Sequence, residues 1–469
     1  MNYEKLGFKA GIEIHQQLAG RKLFSNAPAL VNDENEPDIF FERKLRAVAG
    51  ETGKVDKAAA YEMKKDRIFR YEACSSSSTL VEFDEEPPAP VNEDALEAVI
   101  EVALLLNANV VNEVHFMRKT IVDGSNVSGF QRTALIAVDG YVETSKGRVG
   151  IDSICLEEES AKKIEEKPHV VTYRLDRLGV ALVEIATDAS IKDPEHAKEV
   201  SSILGMMLRS TGKVRRGIGS IRQDVNVSIK GHPRVELKGF QDLRSMPKTI
   251  DHEVQRQQKE KKGESHVRKA NADGTSTFMR PMPGAARMYP ETDVPVVVIT
   301  RERINAIKLP ELIDEKVLRY EKEYNLSADA ARMLIKHEID FTPYTKFKRL
   351  ESKFIAEVLI SYPKQIQKRY KLDVSKLKDK DFQEVLGYLN DKKIPKGAVL
   401  EILVEIVKGK KIDLSKYKQV DTKILEEELK KIVAANKGAS IGALMGEAMK
   451  KFHGKADGKM IMMLLKKMI

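Results

Sequence analysis

A chain of 469 residues, 32% charged, with a formal net charge of +9 and a mean hydropathy of −0.37, has the length for roughly two to four domains and a large buried core. It contains no apolar run of about 18 residues, and its start, Met-Asn-Tyr-Glu-Lys-Leu-Gly, has no apolar signal core, so a membrane span is excluded and a cytoplasmic location is expected. Two cysteines, Cys74 and Cys155, without a CxxC pair, exclude a disulfide framework and a zinc knuckle, and 71 acids interspersed with 80 bases make the basic balance only compatible with nucleic acid.

The first element is a strand, Gly11-Ile-Glu-Ile-His-Gln-Gln-Leu18. Alternation puts Ile12, Ile14 and Leu18 on one face and Glu13, His15 and Gln17 on the other, so a carboxylate and an imidazole sit side by side with apolar backing. Such a pair ligates a divalent metal, moves a proton, or is a solvated strand face. Helical periodicity follows over Asn92 to Leu106. The stretch Met117 to Thr133 then carries Arg118 and Lys119 before a loop of small residues, Gly124, Ser125, Asn126, Ser128 and Gly129, which reads as an anion site. Ala137 to Val142 predicts a hairpin with a tight turn at Asp139-Gly140. Next come the acids Glu157, Glu158 and Glu159, and an apolar strand, Val180 to Ala186, interrupted only by Glu184, whose carboxylate is costly there unless paired or metal-bound.

Asp193-Pro194 opens a helix reaching Arg209. In the strand Ile218 to Ile229, Arg222, Asp224, Asn226 and Ser228 share a face, a ligand-facing arrangement; Val235 to Phe240 adds Glu236 and Lys238. The polar segment Gln257 to Ser276 reads as a mobile loop or insertion point, and the proline-rich Pro281 to Pro295 as a patterned non-helical stretch. The expected fold class is α+β: residues 1–300 form a large antiparallel sheet with helices on one side, residues 301–415 a helical domain, and residues 416–469 a small helical unit. Between Lys430 and Ile469 nine lysines face two acids, which suggests contact with a phosphate backbone or a solvated helix face. Walker A, GxGxxG, HExxH and GxSxG signatures are missing.

Taken in this order, the segments resemble the GatB/GatE family of tRNA-dependent amidotransferase subunits. The resemblance rests on Gly11 to Leu18, Arg118-Lys119, Asp123-Gly-Ser125, Gly129-Phe-Gln-Arg-Thr133, Leu156-Glu-Glu158, Leu175 to Ile185, Gly219 to Val227, Val235-Glu-Leu-Lys238 and Arg287-Met-Tyr-Pro-Glu291. Gly442 to Lys450 and Gly454 to Asp457 resemble its YqeY-like tail module. Asp123-Gly-Ser-Asn favours the archaeal branch, whose members usually carry an inserted domain similar to one in bacterial aspartyl-tRNA synthetases. Here only Gln257 to Met279 occupies that place, so this is a compact natural homologue or a chain without its insert.

The resemblance implies ATP-dependent activation of the glutamyl side chain of mischarged glutamyl-tRNA(Gln), then amidation by ammonia from an asparaginase-like partner of the GatD kind, in a heterodimer or a dimer of heterodimers. Carried over by motif, His15, Glu158 and Glu184 are Mg2+ ligands, and Glu13, Asp224 and Asn226 are catalytic or further metal groups. Arg118, Lys119, Ser125, Lys238 and Arg287 hold ATP or the acyl phosphate, and charge alone points to Lys450, Lys451 and Lys455 as tRNA contacts. A noncatalytic tRNA-binding scaffold and a Mg2+-dependent phosphotransferase acting on a small carboxylate are the alternatives.

Overall fold

The structure is a computed structural model that describes residues 1–30, 36–49, 53–260, 263–282, 288–410, 412–417, 422–436, 438–452 and 458–468. The chain divides into two compact units, Met1–Leu312 and Ile313–Ile469. Among the described residues no helix is long and apolar enough to cross a membrane.

The first unit is built on one large sheet. Its main path holds ten strands: β1 (Lys9–Gln17), β2 (Phe116–Thr120), β3 (Phe130–Thr144), β4 (Gly147–Glu158), β5 (Ala181–Thr187), β6 (Ile221–Ser228), β7 (Val235–Phe240), β8 (His266–Ala270), β9 (Ser276–Pro281) and β10 (Met288–Pro290). Their order across the sheet is β9-β8-β7-β6-β1-β5-β4-β3-β2-β10, with a short strand Asn109–Val110 added beside β3. All neighbours are antiparallel except β7 and β8. Three helices cover one face: α1 (Glu93–Leu105), α2 (Pro194–Ser210) and α3 (Met246–Lys259). Asn92 caps α1 by accepting from the Asp94 and Ala95 N–H groups, and Asp193 caps α2 through the His196 N–H, ahead of Pro194 in the first turn. Ile12, Ile14, Ile154, Val183, Ile185, Val225 and Val227 point towards these helices and are essentially inaccessible. Each such side chain contributes about 2 kcal/mol by leaving water. The period of two then commits their neighbours to the opposite face.

Two sequence expectations are corrected here. Asp139-Gly140 is not a hairpin turn: β3 runs through it, with Val138 opposite Ser153 and Gly140 opposite Ile151, and the turn lies at Thr144 to Gly147. The glycine answers a different need, because a Cβ at Gly140 would stand 2.7 Å from the Leu106 carbonyl oxygen and 2.9 Å from the Ala108 Cβ. Gly140→Ala is therefore expected to cost about 1–3 kcal/mol, measured as a lowered unfolding midpoint of the first unit; an unchanged midpoint would remove this explanation. Gln257 to Ser276, expected to be a loop, is also largely structured. Gln257 is buried in the last turn of α3, accepting from the Ile229 N–H and donating to the Val227 carbonyl, and His266–Ala270 pairs with Ser276–Pro281.

The sheet is curled. Flat, nine spacings of ~4.8 Å would part β9 from β10 by roughly 43 Å. The seven steps from Pro281 to Met288 reach ~25 Å at most, so the two edges of the sheet are drawn together over its polar face. A smaller sheet of Ile39–Arg43, Ile68–Ala73, Val170–Arg174 and Lys162–Glu166 has its own apolar cluster around Phe69, Tyr71 and Tyr173.

The second unit is helical. One apolar cluster runs from Val317 to Tyr417, and another joins Leu425, Leu429, Leu444, Phe452, Ile461 and Leu465. The boundary between the two compact units falls after Leu312, so the helix Arg301–Ala306 stays with the sheet.

Candidate active site

Register assembles the polar face of the sheet. His15 on β1 lies opposite Glu184 on β5 and Arg222 on β6, and Glu13 lies opposite Asp224. His15 Nε2 stands 3.1 Å from Glu184 Oε2 and 3.3 Å from Glu13 Oε1. Lys119 reaches over from β2, 2.5 Å from Glu157 and 3.7 Å from Glu184. Lys238 Nζ sits 2.7 Å from both Asp224 and Glu236, and Asp224 also accepts the Gly239 N–H at 2.9 Å. Arg222 pairs with Glu159 at 3.1 Å. These groups surround a cleft of about 270 Å3.

The charges set one another's protonation. Burial, reinforced by Glu184, pushes Glu13 up to about 6. Burial also raises Glu157, with the Glu184 carboxylate adding to it and Lys119 opposing. Burial works against the Glu184 carboxylate too, yet Lys119 and His15 hold it well below the usual range. His15 is pulled down by burial, but its two carboxylate neighbours, Glu184 first, outweigh this and leave it raised. Lys238 is lowered by burial and raised further by Asp224, Glu236 and Glu13, ending well above an ordinary lysine.

Two buried atoms in this cluster, His15 Nδ1 and Glu184 Oε2, make no hydrogen bond of acceptable geometry. Glu184 Oε2 thus has His15 at 3.1 Å and Lys119 at 3.7 Å as charge neighbours without a well-directed hydrogen bond to either, which leaves its lone pairs open to a further ligand. The potential ligand atoms of Glu13, His15 and Glu184 lie within 4.8 Å of one another, and so do those of Glu13, Asp224 and Glu236. Two carboxylates and an imidazole suit Mg2+ or Mn2+. Such an ion would be held by Glu13, His15 and Glu184, close to Glu157.

Glu158 does not join this group. Strand parity turns it to the reverse of β4, where it accepts from the Arg132 N–H at 3.1 Å and pairs with Arg132 Nη1 at 3.1 Å; Glu157 is the member of the acidic run that meets the cleft. Arg118 and Lys119 part in the same way. Arg118 faces the reverse side, over the Phe130 ring, bound to Glu291 at 2.6 Å and Asp293 at 2.8 Å, and Arg132 also reaches Glu291 at 2.6 Å. Burial alone would raise the Glu291 carboxyl, but Arg118, the Asp293 N–H and Arg132 hold it at about 2. A depressed folded pKa stabilises above the ordinary value of 4.5, and that contribution is lost as pH falls towards 2. Glu291→Gln is thus expected to flatten the acid limb of the stability curve below pH 4.5, read by thermal melts at stepped pH; an unaltered limb would contradict the network.

Ser125 lines the cleft, its hydroxyl bound to Asp123 at 2.6 Å. Its loop is fixed by tyrosines of the small sheet: Tyr71 donates to the Gly124 carbonyl at 3.0 Å and Tyr173 to the Asp123 carbonyl at 2.8 Å. Gly124 has φ +90°, and a Cβ there would enter the Phe69 ring. Asn226 lies opposite Gly11 and Glu236, beyond the wall of the cleft. Lys450 pairs with Glu447 at 2.9 Å and Lys451 with Glu428, both on exposed helix faces. Arg287 and Lys455 lie outside the described residues. Sequence reasoning missed Glu157, Glu236 and Arg280, a cleft residue from β9; only for the first two did a signal exist, in their place beside residues already chosen.

The sequence model of the GatB/GatE catalytic domain matches residues 8–305, and one described as a GatB domain matches residues 341–469. The chain is 36% identical over 627 aligned positions to the GatE-type subunit of glutamyl-tRNA(Gln) amidotransferase from Methanocaldococcus jannaschii, covering 100% of this chain and 99% of that protein. It is 34% identical to the protein of the same name from Thermococcus gammatolerans, covering 100% and 99%, and 35% identical to that of Archaeoglobus fulgidus, covering 100% and 98%. An aligned span of 627 positions against 469 residues means that the first of these relatives carries over a hundred residues in total without counterpart here.

Proposed function

Since the chain belongs to the GatB/GatE family, we propose that it is the subunit of a tRNA-dependent amidotransferase that converts glutamyl-tRNA(Gln) to glutaminyl-tRNA(Gln) at the cleft around His15. The glutamyl carboxylate attacks the γ-phosphorus of ATP, ADP leaves, and ammonia then displaces phosphate from the acyl phosphate to give the amide. The observation that carries this reading is the gathering of Glu13, His15 and Glu184, whose potential ligand atoms lie within 4.8 Å of one another, beside a cleft that Lys119 and Lys238 also line. When bound, Mg2+ neutralises phosphate charge and screens the leaving group.

The chain's own side chains account for the rest. Lys119 and Lys238 present ammonium groups to phosphate oxygens, and their partners Glu157 and Asp224 fix where those groups stand. Gly239 and Ser125 border the same space. Glu13 borders the same space beside His15 and is one of the groups that would hold the ion. Ammonia comes from an asparaginase-like partner, in a heterodimer or a dimer of such pairs. Neither cysteine of this chain is an activated thiol, because burial raises Cys74, and burial with Glu184 and Glu157 raises Cys155. Residues 301–415 and 416–469 hold the tRNA by shape and backbone, with Lys450, Lys451 and Lys455 as contacts, in the cytoplasm where tRNA is charged.

The test uses ammonium chloride in place of the partner. The chain, ATP, Mg2+ and glutamyl-tRNA(Gln) labelled in the amino acid should yield labelled glutamine on the tRNA, and omission of ATP should stop it. ATP-independent conversion, or tRNA binding without any conversion, would overturn the reading.

A further inference from the structure

The cleft's cations differ in what already neutralises them. His15 stands against Glu13 and Glu184, Lys119 against Glu157, Arg222 against Glu159, and Lys238 against Asp224 and Glu236. Arg280 is the exception: it lines the cleft, is only partly buried, and has no carboxylate partner among the described residues. It also comes from a different place. Its strand, β9, is the far edge of the sheet, yet the curl brings it to Ile121 and Asp123, at the end of β2 on the other side, where it also lines a second, smaller pocket. Arg280 thus lines the same cleft as Lys119 and Ser125.

A triphosphate brings several negative charges, and cations already paired with carboxylates offer little net charge to meet them. An unpaired guanidinium offers a full charge and a planar fork that fits two phosphoryl oxygens. We propose that Arg280 contacts the phosphoryl group in transfer. This deepens the reading of the cleft given above and rests on it. Because the contact strengthens as charge spreads over the equatorial oxygens, its loss should fall on kcat more than on KM for ATP.

The experiment follows ATP-dependent amidation with ammonium chloride as donor, comparing the full-length chain with Arg280→Ala and Arg280→Lys. Arg280→Ala is expected to lower kcat by about a hundredfold with KM for ATP changed less than about threefold. Added guanidinium ion should restore part of the rate to Arg280→Ala, and Arg280→Lys should fall between the two. A kcat within threefold of the parent chain would overturn the inference. So would a loss of rate accompanied by a lowered melting temperature and no response to guanidinium, which would mark a structural role. If the parent chain itself shows no ATP-dependent conversion, the functional reading fails, and that outcome is separate from any difference between variants.

Discussion

Glu184→Gln is expected to lower the rate of ATP-dependent amidation by on the order of 10³-fold, whereas Glu158→Gln lowers it less than about tenfold. Both are acids beside strand-borne cations, Glu158 buried and Glu184 largely so, and motif carry-over gives them the same role. Position separates them. Glu184 Oε2 is a buried acceptor without a hydrogen bond, 3.1 Å from His15 Nε2 and 3.7 Å from Lys119. Removing its charge deprives a bound cation of a ligand and releases His15 from the partner that raises it. Glu158 is satisfied on the reverse side by Arg132 through two contacts. Glutamine keeps the volume in each case, but Glu158→Gln also takes a charge partner from Arg132, so rates are compared at a temperature well below the melting transition of either variant. The assay is kcat with ammonium chloride as donor, supported by Mn2+ binding, which Glu184→Gln should weaken and Glu158→Gln should not. Equal losses in the two variants would return Glu158 to the metal site and remove the parity argument.

The second large effect concerns stability. Arg132→Met is expected to destabilise the first unit by about 3–5 kcal/mol. Arg132 stands 3.1 Å from Glu158 and 2.6 Å from Glu291, and all three side chains are at most one-tenth exposed. Methionine fills the space but leaves Glu158 with only the Arg132 backbone N–H among these contacts, and Glu291 with Arg118. Burying a carboxylate stripped of its cation costs more than the pair itself contributes. Adding Glu158→Gln to Arg132→Met should recover part of the loss, since the amide carries no charge to strand. The measurement is the unfolding transition of the first unit for the three chains; an additive double variant would show that the ion pair is not the source.

The alternation of apolar and polar residues in Gly11 to Leu18 is enough to assign that strand a buried face, where Ile12 and Ile14 lie, and a polar face with Glu13 and His15, while in the apolar run Val180 to Ala186 Glu184 alone marks the polar face. An acidic pair such as Glu157-Glu158, or a basic pair such as Arg118-Lys119, carries no such mark. Adjacent residues of one kind occupy both faces, and only the partner strand says which faces the cleft: Glu184 opposite Cys155 puts Glu157 with it. Asp139-Gly140 misled for a related reason. A glycine chosen because a neighbouring loop comes within 2.7 Å is spelled like one chosen for a turn. Arg280 lay between the polar segment ending at Ser276 and the proline-rich one starting at Pro281, and neighbours in its pocket come from residues 121 to 123, over 150 positions away. Only closure of the sheet brings them together.

The central place of β1 has a consequence for synthesis. It leaves the ribosome well before its neighbours β5 and β6, which follow about 170 and 210 residues later, roughly ten to forty seconds at 5–20 residues per second. Through that interval Ile12 and Ile14 sit in a strand with both hydrogen-bonding edges bare, an invitation to pair with other nascent chains. The soluble yield of this protein should therefore respond to the supply of holding chaperones at the tunnel exit, and to elongation speed, more steeply than the stability of the finished fold would suggest.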